Sequence, residues 1–281
     1  MTTRQLILPG EIVKKSNALL RAHWSPGSVW EPRLVALLAS KVRIDDHDFQ
    51  TYEIRVSELL GAKYGGSDIK IVETAVDRAM SRVLTIRDGK GWVKYNVFHR
   101  CRFRPEDGVL ELGFHPDLKP HYLGLQERFA KYNLLEFMLL PSVYSQRLFE
   151  VLKSWSDKPE CTISLLDLFP MLDVPLTLQR YPDFRRKVLE RAHRDITSKT
   201  GLRYEWEPIK QGRAVSAIRF TFGARSAQLV KSKKQALSCQ NNILMQKALA
   251  CFHSSGGQCK PNSGRKCEIC LRLIKKLNVF I

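Results

Sequence analysis

The chain has 281 residues, 44% of them hydrophobic, which is enough for two ordinary globular domains and a tail. Its formal net charge of +18, from 46 Lys and Arg against 28 Asp and Glu, favours a polyanionic partner, with nucleic acid ahead of anionic lipid. No apolar run reaches about 18 residues, and residues 1–10 lack the pattern of a secretory signal. The sequence therefore predicts a cytoplasmic protein with no membrane span.

The positive charge is concentrated in the last part of the chain. Residues 1–130 contain 20 basic and 16 acidic residues, and residues 131–224 contain 15 and 11. Residues 225–281 contain 11 basic residues and a single acidic one, Glu268. The two globular parts thus carry +4 each and the tail carries +10, a distribution too uneven for solubilising charge alone.

One pattern occurs twice, with copies about 110 residues apart. In each copy a short apolar run, 54–60 or 163–169, is followed by a long amphipathic stretch and then by a two-stranded pattern. These later segments are 67–84 and 92–114 in the first copy, and 182–199 and 202–222 in the second. The order is typical of a winged helix, and two copies predict a protein that binds duplex DNA through two separate domains.

The first copy is preceded by a predicted helix over 28–41, with Pro32 near its start. Its apolar face comprises Leu34, Val35, Leu37 and Leu38. An acidic stretch, 45–48, follows. Clustered carboxylates can hold a metal for nuclease or polymerase chemistry, but the position of this stretch between a helix and a strand favours an acidic surface loop.

The first candidate recognition helix begins at Ser67, a residue typical of an N-cap. Its predicted buried stripe comprises Val72, Ala75, Val76, Ala79 and Val83. The opposite face presents residue types that contact phosphates and base edges in a major groove, namely Lys70, Thr74, Arg78, Ser81 and Arg82. Because Glu73 and Asp77 dilute this charge, an ordinary solvated face is the alternative.

The first predicted hairpin has three arginines on one strand face, Arg100, Arg102 and Arg104. Residues 105–108 supply the turn, and 109–114 form the returning strand. Three guanidinium groups on one ribbon face suit contacts with DNA phosphates or the minor groove. The alternative is a protein–protein edge, because an exposed strand can also pair with a second copy of the chain.

The second copy begins with a predicted amphipathic helix from Ser142 that carries Tyr144, Leu148, Val151, Leu152 and Trp155. Ser164 and Asp167 form a predicted capping box for a short helix that ends near Leu172.

The long helix over 182–199 gives the strongest indication of DNA binding in the sequence. Its inward residues are Phe184, Val188, Leu189, Ala192 and Ile196. Its outer face carries four cations, Arg186, Lys187, Arg191 and Arg194. At 100° per residue, Arg185 projects toward the apolar side, although a long side chain in the first turn of a helix can still reach outward. The hairpin that follows places Lys210 and Arg213 at its tip around Gly212, where basic residues contact the DNA backbone.

Several of these segments closely resemble, in the same order, the replication initiators of iteron-containing theta plasmids. They are 144–153, 163–168, 184–190, 196–200, 207–210 and 217–220, with a further similarity at 13–19. The resemblance covers roughly 10–224. It implies an α+β fold with two tandem winged-helix domains, 1–130 and 131–224, followed by a basic, Cys-rich C-terminal tail, 225–281, for which we find no counterpart.

The resemblance also implies a function. Members of this family bind repeated origin sites in double-stranded DNA as monomers and repress their own promoter as dimers. They recruit the host initiator and the replicative helicase. The second domain makes the stronger major-groove contacts, whereas the first serves both DNA binding and dimerisation. The arginines at 100–104 could therefore serve either to bind DNA or to pair with a second copy of the chain, and the sequence leaves both open.

Five of the seven cysteines lie in the tail, at Cys239, Cys251, Cys259, Cys267 and Cys270. The pair Cys267 and Cys270 has the spacing of half a zinc site, which Cys251 with Cys259 or His253 could complete. No other cofactor is expected. The overall spacing matches no standard zinc finger, so a basic tail with reduced thiols is the alternative.

Rival classes of function are less consistent with the residues. A rolling-circle nicking enzyme needs two histidines one residue apart, and the seven histidines contain no such pair. A polymerase or primase needs carboxylates from separate strands, for which only 45–48 comes into question. No enzymatic activity is therefore predicted. A two-domain transcriptional repressor reads DNA by the same contacts, so only the family resemblance favours an initiator over it.

Overall fold

The computed structural model describes residues 12–43, 45–61, 64–88 and 91–222. The first part contains β1 (Ile12–Ser16), α1 (Asn17–Leu20), α2 (Trp30–Lys41), β2 (Tyr52–Arg55), α3 (Val56–Leu60), α4 (Gly66–Ser81), β3 (Val83–Asp88), β4 (Gly91–Asn96), β5 (Phe98–Arg104), β6 (Val109–Phe114), α5 (Lys119–Tyr122) and β7 (Phe129–Asn133). The second contains α6 (Leu134–Met138), α7 (Val143–Lys153), β8 (Glu160–Ser164), α8 (Leu165–Leu172), α9 (Tyr181–Phe184), α10 (Glu190–Lys199), β9 (Tyr204–Gln211) and β10 (Ala214–Phe222). A π-helical turn, Arg185–Leu189, joins α9 to α10.

The predicted internal repeat is present in the structure. In the first copy β2, α3, α4 and the hairpin β5–β6 follow one another, and the sheet has the order β2-β6-β5. In the second copy β8, α8, α9–α10 and the hairpin β9–β10 do the same, with the order β8-β10-β9. All these strand pairs are antiparallel. Each copy is thus a helix-turn-helix closed by a three-stranded sheet with a wing.

Local sequence explains how each copy passes from strand to short helix. In β2 the side chains of Tyr52 and Ile54 are buried and the intervening ones are exposed, which is the period of a half-buried strand. In the second copy the Ser164 side chain accepts a hydrogen bond from the backbone N–H of Asp167 at 3.1 Å and begins α8. Asp173 ends α8 in the left-handed conformation, with φ 52°. The predicted N-cap at Ser164 is thus present, but the second bond of a capping box is not, because Asp167 Oδ2 accepts from the Ser164 hydroxyl at 2.6 Å and not from the Ser164 backbone N–H.

Helix α4 differs from its prediction at both ends. Its N-cap is Gly65 and not Ser67, and the Gly65 N–H donates to Asp68 Oδ2 at 2.8 Å. The stripe of Val72, Ala75, Val76 and Ala79 is buried as predicted. Val83, however, begins β3 and is 45% exposed, because the helix ends at Ser81.

A hairpin that the sequence did not predict lies between α4 and the first wing. Strands β3 and β4 pair antiparallel as a separate two-stranded sheet, with Val83 opposite Asn96 and Arg87 opposite Trp92. The predicted two-stranded pattern over 92–114 did not separate this hairpin from the wing, because no Gly or Pro lies between the end of β4 and the start of β5. The predicted wing itself, β5–β6, is present.

Helix α7 is the predicted amphipathic helix, but its polar face is buried as well as its apolar face, which the sequence did not predict. Every residue from Ser145 to Leu152 is buried, because α7 packs against α1 and β7 on one side and against α8 and α10 on the other. It therefore connects the first winged helix to the second. The predicted domain boundary between residues 130 and 131 falls inside β7, which pairs with β1, and the division at that point stays a prediction.

Within the described ranges, no helix is both long and apolar enough to cross a lipid bilayer.

Candidate nucleic-acid interface

The long helix of the second copy presents the predicted cationic face. Its inward side chains are buried in the core, namely Phe184, Val188, Leu189, Ala192 and Ile196. The four predicted outer cations, Arg186, Lys187, Arg191 and Arg194, are all exposed. Burial of one side fixes the direction of the other, so the four charges point away from the core.

The π turn changes the position of Arg185. Its side chain is 57% exposed, and its Nε donates to Glu190 Oε1 at 2.8 Å. A π turn has a longer repeat than an α-helix, which brings residues five apart onto the same side. The direction expected from 100° per residue therefore does not hold at this turn, and Arg185 instead reaches outward, the alternative left open for a first turn. Its charge is offset by Glu190.

The four outer cations differ in their ionic partners. Arg186 and Lys187 share Asp183, whose Oδ1 lies 3.5 Å from Arg186 Nη2 and 3.5 Å from Lys187 Nζ. Arg191 and Arg194 have no carboxylate within 4.0 Å among the residues described. Their guanidinium groups are therefore the most available to an external anion on this helix.

The second wing adds two exposed cations to those on the long helix. Gln211 lies opposite Ala214 in the hairpin, so Gly212 and Arg213 form a two-residue turn. Gly212 has φ 63°, a conformation that favours glycine and makes this tight turn possible. The side chains of Lys210 and Arg213 are exposed at the tip, as predicted.

Helix α4 places its predicted contact residues in two environments. Lys70 and Thr74 are exposed, and the Thr74 hydroxyl donates to the backbone carbonyl of Lys70 at 2.8 Å. Arg78 and Arg82 lie one turn apart on the side of α4 that packs against α2. Each approaches the carboxylate of the fully buried Glu31 to 3.8 Å.

The arginines of the first wing do not act as one set. Arg100 and Arg102 are exposed on β5 as predicted. Arg104 instead contacts three carboxylates, with its guanidinium nitrogens 2.8 Å from Glu53, 3.4 Å from Asp107 and 3.1 Å from Glu111. Its charge is used to fix the wing against β2, which leaves Arg100 and Arg102 as the free cations of this strand.

The acidic stretch 45–48 lies in the connection between α2 and β2. Asp48 Oδ1 lies 2.8 Å from Lys119 Nζ, and the Tyr52 hydroxyl donates to Asp46 Oδ2 at 3.2 Å. Within the part of the chain that the structure describes, no three His, Cys, Asp or Glu side chains are grouped as metal ligands would be. The predicted zinc ligands Cys251, Cys259, Cys267 and Cys270 lie outside that part.

A buried ionic network that sequence reasoning missed joins the first winged helix to α7. Glu150 Oε1 accepts from Lys15 Nζ at 2.7 Å and from the Tyr132 hydroxyl at 2.8 Å. Arg147 donates to the other Glu150 oxygen and, at 2.8 Å, to the carbonyl of Ala22. Burial alone would raise the pKa of the Glu150 carboxyl, but Lys15 and Arg147 together hold that pKa below its ordinary value.

These features define a class: a tandem winged-helix protein with an exposed basic face on the long helix of its second copy. The chain matches two family models, one described as Initiator Replication protein, WH1, over residues 12–153, and one described as Initiator Rep protein, WH2, over residues 164–222. The protein belongs to this family of replication initiators. Both the resemblance predicted from the sequence and the predicted fold class are confirmed.

Two solved structures are similar to this chain. The crystal structure of Pi initiator protein in complex with iteron DNA is 18% identical, with a TM-score of 0.60, over 77% of this chain and 98% of that one. The crystal structure of the RctB domains 2-3 is 12% identical, with a TM-score of 0.41, over 72% of this chain and 83% of that one. At this identity the first likeness shows the fold alone.

Proposed function

We propose that this protein initiates plasmid DNA replication by binding repeated origin sequences in duplex DNA. The observation that carries the proposal is the duplicated arrangement: two winged helices of the same topology, the second with an exposed basic face on its long helix, and each with exposed cations on its wing. Family membership and a fold similar to that of an initiator crystallised with iteron DNA support it.

The second winged helix makes the main sequence-specific contacts in this proposal. Arg191 and Arg194 have no nearby carboxylate among the described residues, so they are free to bind base edges or phosphates. Arg186 or Arg194 reads bases in the major groove, and Lys210 and Arg213 clamp phosphates beside it. The first winged helix provides a second set of DNA contacts. They come from the recognition helix and its C-cap, at Lys70, Thr74, Arg78 and Arg82, and from the first wing, at Arg100 and Arg102.

A dimer is the proposed repressor of the protein's own gene, and a monomer the form that binds each repeat. The first winged helix supplies the dimer interface in this proposal. The hairpin β3–β4 supports it, since Trp92 is 59% exposed and Val93 46% exposed on β4, which pairs with β3 alone among the strands that the structure describes. Unpaired strand edges with apolar side chains favour pairing with a second copy.

Origin opening and recruitment of the host initiator and the replicative helicase complete the proposal, and they rest on family membership. The protein acts here by binding, without catalysis of its own. The basic tail adds non-specific attraction to DNA because its charge is +10 over 57 residues.

Footprinting of the full-length protein across its own plasmid tests the proposal. We expect protection of several tandem repeats at the origin, with one protein per repeat in a quantitative titration. Protection of a lone palindrome in front of the gene, and of no repeats, would contradict it. That result would identify a two-domain transcriptional repressor.

A further inference from the structure

The carboxylate of Glu31 lies in the first turn of α2 and is fully buried. The Gly27 N–H donates to both of its oxygens, at 3.0 Å and 2.9 Å, and the Ser28 hydroxyl donates to one of them at 3.3 Å. These bonds fix the carboxylate against the loop that precedes α2.

On its other side the same carboxylate faces Arg78 in the last turn of α4 and Arg82, the C-cap residue directly after it. Arg78 Nη1 lies 3.8 Å from Glu31 Oε1, and Arg82 Nε lies 3.8 Å from Glu31 Oε2. The two side chains are 44% and 34% exposed. At 3.8 Å the charges attract without a hydrogen bond, so the guanidinium N–H groups stay available to another acceptor.

Gly27 makes this arrangement sterically possible. A Cβ atom at this position would lie 2.8 Å from Arg82 Nη2 and 3.2 Å from Arg78 Nη1. Gly27 is not among the glycines with positive φ, so the backbone there does not require glycine. A Cβ atom at this position would therefore push the flexible ends of both arginine side chains away from their present places beside Glu31.

We propose that Glu31 is a positioning residue that holds Arg78 and Arg82 side by side as a clamp for DNA phosphates. Two guanidinium groups on adjacent helical turns repel each other and adopt many rotamers when nothing holds them. A fixed carboxylate behind them lowers both costs before DNA arrives. The inference rests on the proposed function, in which α4 faces DNA.

The direction of the effect distinguishes positioning from simple electrostatics. Removing a carboxylate beside a polyanion should strengthen binding if repulsion is its main influence. Removing a positioning residue should weaken binding. Glu31→Gln tests this, because the amide oxygen still accepts from the Gly27 N–H while the charge is lost.

We expect Glu31→Gln to weaken binding of full-length protein to repeat and scrambled duplexes alike, by about 3- to 10-fold, the usual cost of ordering one or two long side chains. The slope of log K against log salt should fall by up to about 1.8, since each lost phosphate contact contributes about 0.9. A purely structural role would leave that slope unchanged. An unchanged or raised affinity overturns the proposal.

The double variant Arg78→Ala/Arg82→Ala provides the matched background. Adding Glu31→Gln to it should cause no further loss of affinity, because the groups that Glu31 positions are gone. A loss as large as that in the wild-type background would show that Glu31 acts through other residues, and overturns the proposal.

Gly27→Ala is the second variant and keeps the Glu31 charge. Its Cβ displaces the two arginines, so we expect a similar loss of affinity with little change in melting temperature. If Glu31→Gln fails to fold, this variant decides, and unchanged DNA binding then overturns the proposal. Loss of binding on Arg191→Ala but not on Arg78→Ala/Arg82→Ala overturns the clamp and leaves the proposed function standing. Absence of any repeat binding by the wild type overturns both.

Discussion

Lys15 Nζ donates to Glu150 Oε1 at 2.7 Å across 135 positions of the sequence, and the two side chains are only 5% and 2% exposed. The pair joins β1 of the first winged helix to α7. Because α7 also packs against α10, the ion pair helps to fix the position of the long helix of the second winged helix relative to β1. A change in this pair should therefore affect the stability of the whole described unit.

We expect Glu150→Gln to lower the free energy of unfolding by about 3–5 kcal/mol, since it leaves Lys15 and Arg147 buried without a compensating charge. Urea unfolding followed by circular dichroism measures this loss. The matched control is Glu207→Gln, which removes an ion pair with Arg219 whose side chains are 58% and 41% exposed. That variant should lose less than about 1 kcal/mol. Equal losses of unfolding free energy in the two variants would contradict the stabilising role of the buried Glu150 carboxylate.

Acid should reduce stability through the same carboxyl. Lys15 and Arg147 hold the pKa of Glu150 below its ordinary value of 4.5, so the folded state favours the ionised form more than the unfolded state does. The resulting stabilisation is complete above about pH 4.5 and is lost as the pH falls through the folded pKa. The stability gap between wild type and Glu150→Gln should accordingly narrow below pH 4.5. If the difference in unfolding free energy stayed constant down to pH 2.5, ionisation of Glu150 would not be the source of the stabilisation.

The sequence predicted the parts of the fold that local patterns determine. The repeat, the N-cap at Ser164 and the inner face of the long helix follow from hydrophobic period and capping chemistry. The π turn and the separate hairpin β3–β4 were missed, because neither leaves a period of its own in the sequence. Glu31 and Glu150 were missed because each is buried by residues distant in sequence, and their helical spacing resembles that of ordinary surface charges.

The tail is predicted to bind one zinc ion through Cys251, Cys259, Cys267 and Cys270. Elemental analysis of protein purified without chelator should give about one zinc per chain, because four thiolates saturate a tetrahedral site. Replacement of Cys267 and Cys270 by Ser should abolish it. Cys101→Ser, in the first wing, serves as the control and should leave the zinc content unchanged. Substoichiometric metal in every variant would rule the site out.

The tip of the second wing should contribute affinity without specificity. Lys210 and Arg213 are exposed beside the turn at Gly212, in the position of backbone contacts. Lys210→Ala should weaken binding to repeat and scrambled duplexes by similar factors and lower the salt slope by about 1. Titrations of both duplexes over a range of salt concentrations measure the two quantities. A selective loss on the repeat duplex would instead make Lys210 a base-reading residue.

The long helix of the second winged helix offers the sharpest test, because Arg185, Arg191 and Arg194 lie on one element with different partners. A base-reading arginine replaced by Ala should cost roughly 1–3 kcal/mol of specific affinity and relax one position of the site. We expect this of Arg194 or Arg186, and a loss also at Arg191, whose guanidinium has no nearby carboxylate among the described residues. Arg185→Ala is the control, since Glu190 already offsets that charge at 2.8 Å, and it should change specific affinity little.

None of these exposed substitutions should shift stability by more than about 0.5 kcal/mol, so lost binding is not lost folding. Thermal unfolding of each variant checks this. The decisive variant carries Ala at Arg186, Lys187, Arg191 and Arg194 together. Because the buried face of the helix is untouched, such a protein should stay folded and lose its preference for the repeat over scrambled DNA. If it kept wild-type specific affinity, this helix would not be the recognition element, and α4 with the first wing would have to supply the specificity.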